Sequence, residues 1–245
     1  MIAPSIRLLC LPCAGASATM YLRWRRLLPS WVQVVPVELP GRGARLGEPC
    51  VESFAALVSR LCDEQAAAMT ASAGSVMLFG HSMGGLLAWG IARHLRERGL
   101  PAPAALFVSG CPAPGQRDPQ RFANKDTDHQ LIADLRRQGG TPDEVFASPE
   151  MLRITLDALR ADYRVCTSVP ELPPARPLDL PIHAFGGRHD DIDAARLAAW
   201  RREARTLFSL TWLDGGHFFI RQSEPQLLAA LVHEMQPLRL EPLPS

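Results

Sequence analysis

The sequence predicts an α/β fold in which helices flank a mostly parallel central sheet. Short apolar runs typical of buried strands alternate along the chain with amphipathic helical patterns. Hydrophobic residues make up 47% of the 245 residues and charged residues 21%, a balance that can build a substantial core. Because no charge run or low-complexity linker divides the chain, we expect a single domain over residues 1–245.

Strand and helix alternate in order through the first part of the chain. Strands are expected at residues 6–11 and 32–39, and Pro36 indicates that the second is an edge strand or contains a bulge. Between them, the apolar residues of 20–28 recur at helical spacing. An amphipathic helix is expected at 52–69.

The alternation continues with a strand at 75–79, a helix at 83–98 and a strand at 104–108. This order of elements is typical of a doubly wound parallel sheet.

Residues 112–177 interrupt the alternation. Two helical patterns, 128–137 and 149–165, are separated by Gly139-Gly140-Thr141-Pro142 and followed by a proline-rich return. Since long insertions are usually functional, we expect a helical lid over the mouth of the sheet. The alternative is a packing subdomain with no role in substrate access.

The final part of the chain returns to strand and helix. We expect strands at 182–185 and 208–213 and helices at 194–205 and 224–235. Glycine-rich loops follow both strands. In an open α/β sheet the loops after the carboxyl ends of the strands converge, so these loops are expected near one another.

A serine lies in a Gly-x-Ser-x-Gly frame, Gly80-His81-Ser82-Met83-Gly84, between the predicted strand at 75–79 and the helix at 83–98. This context is typical of a nucleophile elbow, in which flanking glycines let the backbone turn sharply and expose the serine hydroxyl. Because a serine hydroxyl is a weak nucleophile on its own, the site also needs a base.

His217 is the predicted base because it follows the last strand behind two glycines. Asp190 and Asp191, after the strand at 182–185, are both candidates for the carboxylate that orients it, and we favour Asp190. The order Ser82, Asp190, His217 is that of α/β-hydrolases. The oxyanion donors are expected to be the backbone N–H groups of Met83 and, on the loop after the first strand, Ala14.

Charge and cysteine content exclude several classes of protein. Twenty-six basic residues nearly balance 25 acidic ones, so no electrostatic case for nucleic acid exists. Arginines 196, 201, 202 and 205 are interpreted as a solvated helix face, or alternatively as a docking patch for an acidic partner. The six cysteines lie mostly in apolar runs, which indicates buried thiols in a reducing compartment.

We expect neither metal nor cofactor. Cys10 and Cys13 form a Cys-x-x-Cys pair, but no second pair accompanies them. Residues 6–18 resemble a short signal peptide, but one preceding positive charge and the strand-plus-loop interpretation favour a cytoplasmic protein. No segment has the length of apolar residues that a membrane span needs.

Several motifs in one order resemble those of the external (type II) thioesterases of nonribosomal peptide and polyketide synthesis. The products of such pathways are siderophores or antibiotics. These motifs are Leu11-Pro12-Cys13-Ala14-Gly15-Ala16 with Trp24, Pro40-Gly41-Arg42-Gly43-Ala44-Arg45, the Ser82 frame, Gly140-Thr141-Pro142, Leu159-Arg160-Ala161-Asp162-Tyr163 and Gly215-Gly216-His217-Phe218-Phe219.

The resemblance implies an editing enzyme that hydrolyses stalled or aberrant acyl groups from the phosphopantetheine arms of carrier domains. It also implies the triad Ser82, Asp190 and His217. Related thioesterases fused to synthetases are expected to carry the acid after the strand that is here 104–108. Here that strand is followed by Ser109-Gly110-Cys111, without a carboxylate.

Three other functions share parts of this pattern. A carboxylesterase acting on small diffusible esters would use the same triad. An acyltransferase would pass the acyl group to an acceptor other than water. A scaffold that only binds carrier domains is disfavoured, since no member of the predicted triad is missing.

Overall fold

The structure is a computed structural model that describes residues 5–70, 74–118, 120–170 and 176–239. Six strands form its sheet: β1 (Ile6–Leu11), β2 (Val32–Pro36), β3 (Ser75–His81), β4 (Ala105–Ser109), β5 (Ile182–Gly187) and β6 (Phe208–Leu213). Nine α-helices accompany these strands in the described residues: α1 (Trp24–Leu27), α2 (Phe54–Thr70), α3 (Met83–Glu97), α4 (Asp128–Gln138), α5 (Asp143–Ala147), α6 (Pro149–Thr167), α7 (Ala194–Ala198), α8 (Phe219–Gln222) and α9 (Glu224–Met235).

All neighbouring strands are parallel, in the order β2-β1-β3-β4-β5-β6. The chain moves outward from β1 to β2 and then crosses back to β3. The carboxyl ends of β1 and β3 are therefore neighbours, and Leu11 pairs with Gly80. In such sheets this switch point opens a crevice where ligands bind. The predicted α/β sheet flanked by helices is confirmed.

Apolar side chains cover both faces of the sheet, as a buried parallel sheet requires. Along β1 the side chains alternate: Leu9 and Leu11 pack into the core beneath α2 and α3, whereas Ile6, Leu8 and Cys10 pack into the core beneath α1 and α9. Because both cores are filled, the loops at the carboxyl ends of the strands rest on a rigid base.

The insertion between β4 and β5 contains α4, α5 and α6. Its own cluster includes Leu131, Leu135, Leu156 and Leu159, and Ala14 packs against that cluster from the loop after β1. The insertion therefore rests on a loop at the switch point. Residues 171–175, within the predicted proline-rich return, lie outside the described residues.

Two predicted elements end earlier than expected. The strand predicted at 32–39 stops at Pro36, because Glu38 turns away to accept hydrogen bonds from Ser17 Oγ at 2.7 Å and Ala18 N at 3.0 Å. The segment predicted as a helix at 20–28 is divided between a 3₁₀ turn, Ala18–Tyr21, and α1.

The helix predicted at 194–205 was also wrong in its second half. It is α-helical only through α7, and Ala199–Glu203 is a 3₁₀ helix. Trp200 is fully buried there and donates from Nε1 to the carbonyl of Cys111 at 2.8 Å. Glu203 accepts a hydrogen bond from Trp89 Nε1 at 3.0 Å. These tertiary contacts favour the tighter turn over a continued α-helix. Among the described residues, no helix is long and apolar enough to cross a membrane.

Candidate active site

Ser82 occupies a sharp turn between β3 and α3. Its backbone has φ +54° and ψ −119°, a conformation that few residues other than glycine adopt. A Cβ on Gly80 would collide with the backbone of Gly84, and a Cβ on Gly84 would collide with the carbonyl of Leu11. Both glycines of the motif are therefore required by close backbone approach, and this approach sets the serine beside the loop that follows β1.

His217 lies on the loop after β6 and faces the serine. Its Nε2 is 3.1 Å from Ser82 Oγ, and its Nδ1 is 2.9 Å from Asp190 Oδ2. Gly216, the preceding residue, is fixed by a hydrogen bond from its N–H to Gln222 Oε1 at 2.9 Å. The structure thus brings Ser82, His217 and Asp190 into one connected chain, in a geometry that lets the imidazole take a proton from the hydroxyl.

Asp190 and Asp191 differ in environment although they are adjacent. The Asp190 side chain is 1% exposed and contacts His217, whereas the Asp191 side chain is 65% exposed and forms an ion pair with Arg121 at 3.1 Å. The Asp190 N–H donates to the carbonyl of Gly187 at 3.2 Å, which ties the acid loop to the end of β5. The structure therefore places Asp190, and not Asp191, against the histidine.

Met83 and Ala14 are the predicted oxyanion donors. Met83 is the first residue of α3, so its N–H has no acceptor within the helix. The N–H of Ala14 donates to no other group among the described residues. Both residues line the same cavity as Ser82. That these N–H groups donate to an oxyanion stays a prediction.

The cavity around Ser82 and His217 is partly open to solvent, and the space within it and at its mouth amounts to about 670 Å³. One side comes from the sheet and α3, and the other comes from the insertion. Its apolar lining consists of Cys13, Met83, Leu86, Cys111, Phe122, Tyr163, Cys166 and Ile192.

Arginines also line the cavity. Arg117, Arg121 and Arg196 reach it from the insertion and from α7. Arg201 and Arg202, from the same predicted cluster as Arg196, line a separate surface groove. Whether that groove is a docking patch stays a prediction.

His81 lies directly before the serine but does not point into the cavity. It is fully buried, and its Nδ1 is 3.0 Å from Ser109 Oγ at the end of β4. Burial holds the pKa of His81 well below its usual value, and the nearby His217 lowers it further. A neutral His81 at the end of β3 therefore contacts Ser109 at the end of the neighbouring strand β4.

One group of potential metal ligands is found in the described residues. The ligand atoms of Asp190, Asp191 and His217 lie within 4.8 Å of one another. Both nitrogens of His217 already face Asp190 and Ser82, and Asp191 pairs with Arg121. The arrangement therefore fits a proton relay better than a cation site.

Sequence reasoning gave no role to two buried charged residues, Arg42 and Asp162. Both lie in motifs that carried the resemblance, and they form an ion pair beside the loop after β1. A charged residue within an otherwise apolar helical face was the signal that could have singled out Asp162.

A parallel sheet with a serine after its third strand, and a carboxylate and a histidine on later loops, defines the α/β-hydrolase fold. Comparison with known proteins specifies the family. The chain belongs to the thioesterase family, because the model of the thioesterase domain matches residues 6–235.

Individual relatives point the same way. The chain is 32% identical to the gramicidin S biosynthesis protein GrsT of Aneurinibacillus migulanus, over 96% of this chain and 90% of that protein. It resembles the structure of RedJ, a thioesterase from the prodiginine biosynthetic pathway in Streptomyces coelicolor, with a TM-score of 0.84 and 37% identity over 95% of this chain and 91% of that one. It also resembles YbtT, a type II thioesterase from the yersiniabactin NRPS/PKS biosynthetic pathway, with a TM-score of 0.80 and 27% identity over 98% of both chains.

Proposed function

We propose that this protein is a type II thioesterase that hydrolyses stalled or aberrant acyl groups from phosphopantetheine arms of carrier domains in nonribosomal peptide or polyketide synthesis. The observation that carries the proposal is the contact of His217 with Ser82 at 3.1 Å and with Asp190 at 2.9 Å, within a chain of the thioesterase family. GrsT, RedJ and YbtT support the pathway assignment.

In the first half of the reaction the acyl group moves to the enzyme. His217 Nε2 takes the hydroxyl proton of Ser82, and Oγ attacks the thioester carbonyl carbon. The tetrahedral intermediate collapses as the C–S bond breaks, and the departing sulfur receives the proton from His217. The products of this step are acyl-Ser82 and a free phosphopantetheine thiol.

In the second half, water releases the acyl group. His217 takes a proton from the water, whose oxygen attacks the ester carbonyl, and then returns that proton to Ser82 Oγ as the C–O bond breaks. The carboxylic acid leaves and the hydroxyl is restored. Throughout, Asp190 accepts the Nδ1–H of His217, which fixes the tautomer and stabilises the imidazolium.

Both tetrahedral intermediates carry a negative oxygen. The N–H groups of Met83 and Ala14 are the proposed donors to it. Such fixed dipoles stabilise the charge without reorganising, and loss of one donor in a serine hydrolase typically costs about 10²–10³-fold in kcat.

The insertion at 112–177 is proposed to act as a lid within a single domain. It supplies Phe122, Tyr163 and Cys166 to the cavity that contains Ser82. A thioester arm must therefore pass beside the insertion to reach the serine.

The proposal is tested by comparing one acyl group on three carriers. We expect kcat/KM for an acyl carrier domain to exceed that for the coenzyme A thioester at least tenfold, and that for a small-alcohol ester by more. Only the carrier adds protein surface, and a tenfold preference needs about 1.4 kcal/mol of additional transition-state binding.

Ser82→Ala is the matched control for that comparison. It removes the hydroxyl but keeps the glycines that set the turn, so it should fold normally and lose turnover of all three substrates by several orders of magnitude. Near-parental turnover by this variant would overturn the nucleophile. Better turnover of simple esters by the unaltered enzyme would make the protein an esterase.

A further inference from the structure

Asp162 is a buried carboxylate on α6 that lies beside the active site without touching Ser82 or His217. It is 1% exposed, and its partner Arg42 is 5% exposed. Arg42 donates from both terminal nitrogens, from Nη1 to Oδ2 and from Nη2 to Oδ1, the latter at 2.7 Å. This bidentate pair fixes the carboxylate in one orientation.

The same carboxylate holds the loop that follows β1. Gly15 donates its backbone N–H to Asp162 Oδ2 at 2.7 Å. Arg42 Nη1 also donates to the carbonyl of Ala16 at 3.4 Å. The N–H of the Ala14–Gly15 peptide and the carbonyl of Ala16, one residue further on, are thus tied to one ion pair.

Packing adds to this restraint. Gly15 has φ +73°, a left-handed conformation that favours glycine. A Cβ at this position would lie 3.2 Å from Leu159 Cδ1, one turn before Asp162 on α6. Helix α6 therefore contacts the loop backbone directly.

We propose that Asp162 is a positioning residue that, by holding the N–H of Gly15, sets the direction of the neighbouring Ala14 N–H toward the oxyanion. The inference rests on the proposed function, which assigns the oxyanion donor to Ala14. An oxyanion donor must lie about 2.7–3.1 Å from the developing charge, so a small rotation of this loop removes much of its effect.

A merely structural role predicts a different outcome. If the ion pair only attached α6 to the loops below it, replacing both charges by apolar groups would leave catalysis intact in the molecules that fold. Substitution of a buried ion pair by well-packed apolar side chains is often tolerated. The test must therefore compare two variants that have the same charge and similar shape and that differ only in whether they offer an acceptor to the N–H of Gly15.

Two double variants meet this requirement: Arg42→Met with Asp162→Leu, and Arg42→Met with Asp162→Asn. Both lack the ion pair, and both have a γ-branched side chain at position 162. Only asparagine retains an oxygen that can accept from the N–H of Gly15. The difference between the two variants isolates that hydrogen bond.

The readout combines turnover with affinity for two probes. An alkyl trifluoromethyl ketone forms a hemiketal oxyanion on Ser82 and so requires the N–H donors, whereas the matching alkyl thioether fills the cavity without forming an oxyanion. We expect the leucine variant to lose about 10²-fold in kcat and a similar factor in ketone affinity. We expect KM and thioether affinity to change less than about threefold, since they report ground-state binding. In the asparagine variant, kcat and ketone affinity should each be at least about tenfold higher than in the leucine variant.

Equal kcat and equal ketone affinity in the two double variants would overturn the proposal. Asp162→Glu provides a second test should neither fold, since it keeps the charge opposite Arg42 while its longer side chain shifts the acceptor away from Gly15. It should then lower kcat and ketone affinity together, and parental values of both would also overturn the proposal. Failure of the proposed function is distinguishable, because it shows in protein with Asp162 and Arg42 intact: either Ser82→Ala remains active, or simple esters are turned over better than the acyl carrier domain.

Discussion

Asp190 and Asp191 are adjacent in the chain, yet they have different partners. The former is buried against His217, and the latter is exposed and paired with Arg121. The sequence narrowed the acid to these two residues, because both follow β5. It favoured Asp190 but left Asp191 open, since a shift of one position in a loop reverses which side chain faces the cavity.

We expect Asp190→Asn to lower kcat about 10³–10⁴-fold, because the substitution keeps the shape but removes the charge that stabilises the imidazolium. Asp191→Asn should change kcat less than about fivefold, because an exposed ion pair contributes little. Steady-state kinetics on an acyl carrier substrate compares them directly. If Asp191→Asn is the variant that loses activity, the acid is assigned one residue too early.

The glycines of the site show which contacts of single residues a sequence motif can predict and which it cannot. The frame around Ser82 predicted a sharp turn, and the structure explains it by backbone contacts of Gly80 and Gly84. Gly80 lies against Gly84, four positions along the chain, and Gly84 lies against Leu11 on β1. The role proposed for Asp162 was not predictable, because it depends on a hydrogen bond to Gly15, 147 positions away.

At the scale of elements, the loop after α4 meets the histidine loop. Arg221 donates from Nη1 to the carbonyl of Gly140, and a Cβ on Gly140 would collide with the ring of Phe218. The ring of Phe218 lies 5.5 Å from that of His217, centroid to centroid. A displacement of the loop that contains Gly140 would therefore move Phe218, and the ring of Phe218 would move His217.

We expect Gly140→Ala to lower kcat about tenfold or more by pushing Phe218 toward His217, since small misplacements of catalytic groups have large effects. Gly115→Ala is the matched control: it lies in the same insertion, and no atom lies within 4 Å of its would-be Cβ. It should retain parental kinetics. Equal activity in the two variants would show that the loop does not position the base.

Strand and helix order was predictable, whereas element ends were not. β6 and α9 match their predicted bounds, because a long apolar pattern and a Pro at the start of α9 mark them in the sequence. The helix predicted at 194–205 was wrong beyond Ala198, since burial of Trp200 outweighs local helix preference. α5 and α8, of five and four residues, are too short to show a period.

At the scale of the whole molecule, the insertion contacts each loop of the proposed site. Arg121 pairs with Asp191 beside the acid, Gly140 packs on Phe218 beside the base, and Asp162 holds Gly15 beside the proposed oxyanion donor. The first of these contacts is partly exposed, whereas the ion pair of Asp162 is buried. Opening is therefore expected to begin near Arg121 and not near Asp162.

Hydrogen exchange measures this expectation. Amides of α4 and α5 should exchange faster than those of β1 and β3 in the free protein, and they should slow when a carrier domain bearing a non-hydrolysable acyl amide is added. Amides near Asp162 should stay protected in both states. Exchange in α4 and α5 that is as slow as in the sheet and unchanged by the carrier would contradict a moving lid.

Three cysteines, Cys13, Cys111 and Cys166, line the cavity. Burial raises the pKa of Cys13 and of Cys111 to about 12, and it raises the pKa of Cys166 as well. Because only a thiolate attacks acyl groups or disulfides, burial keeps these thiols protonated and unreactive at neutral pH. In the proposed mechanism, an acyl group bound to Ser82 therefore has no thiolate beside it to which it could be transferred in competition with water.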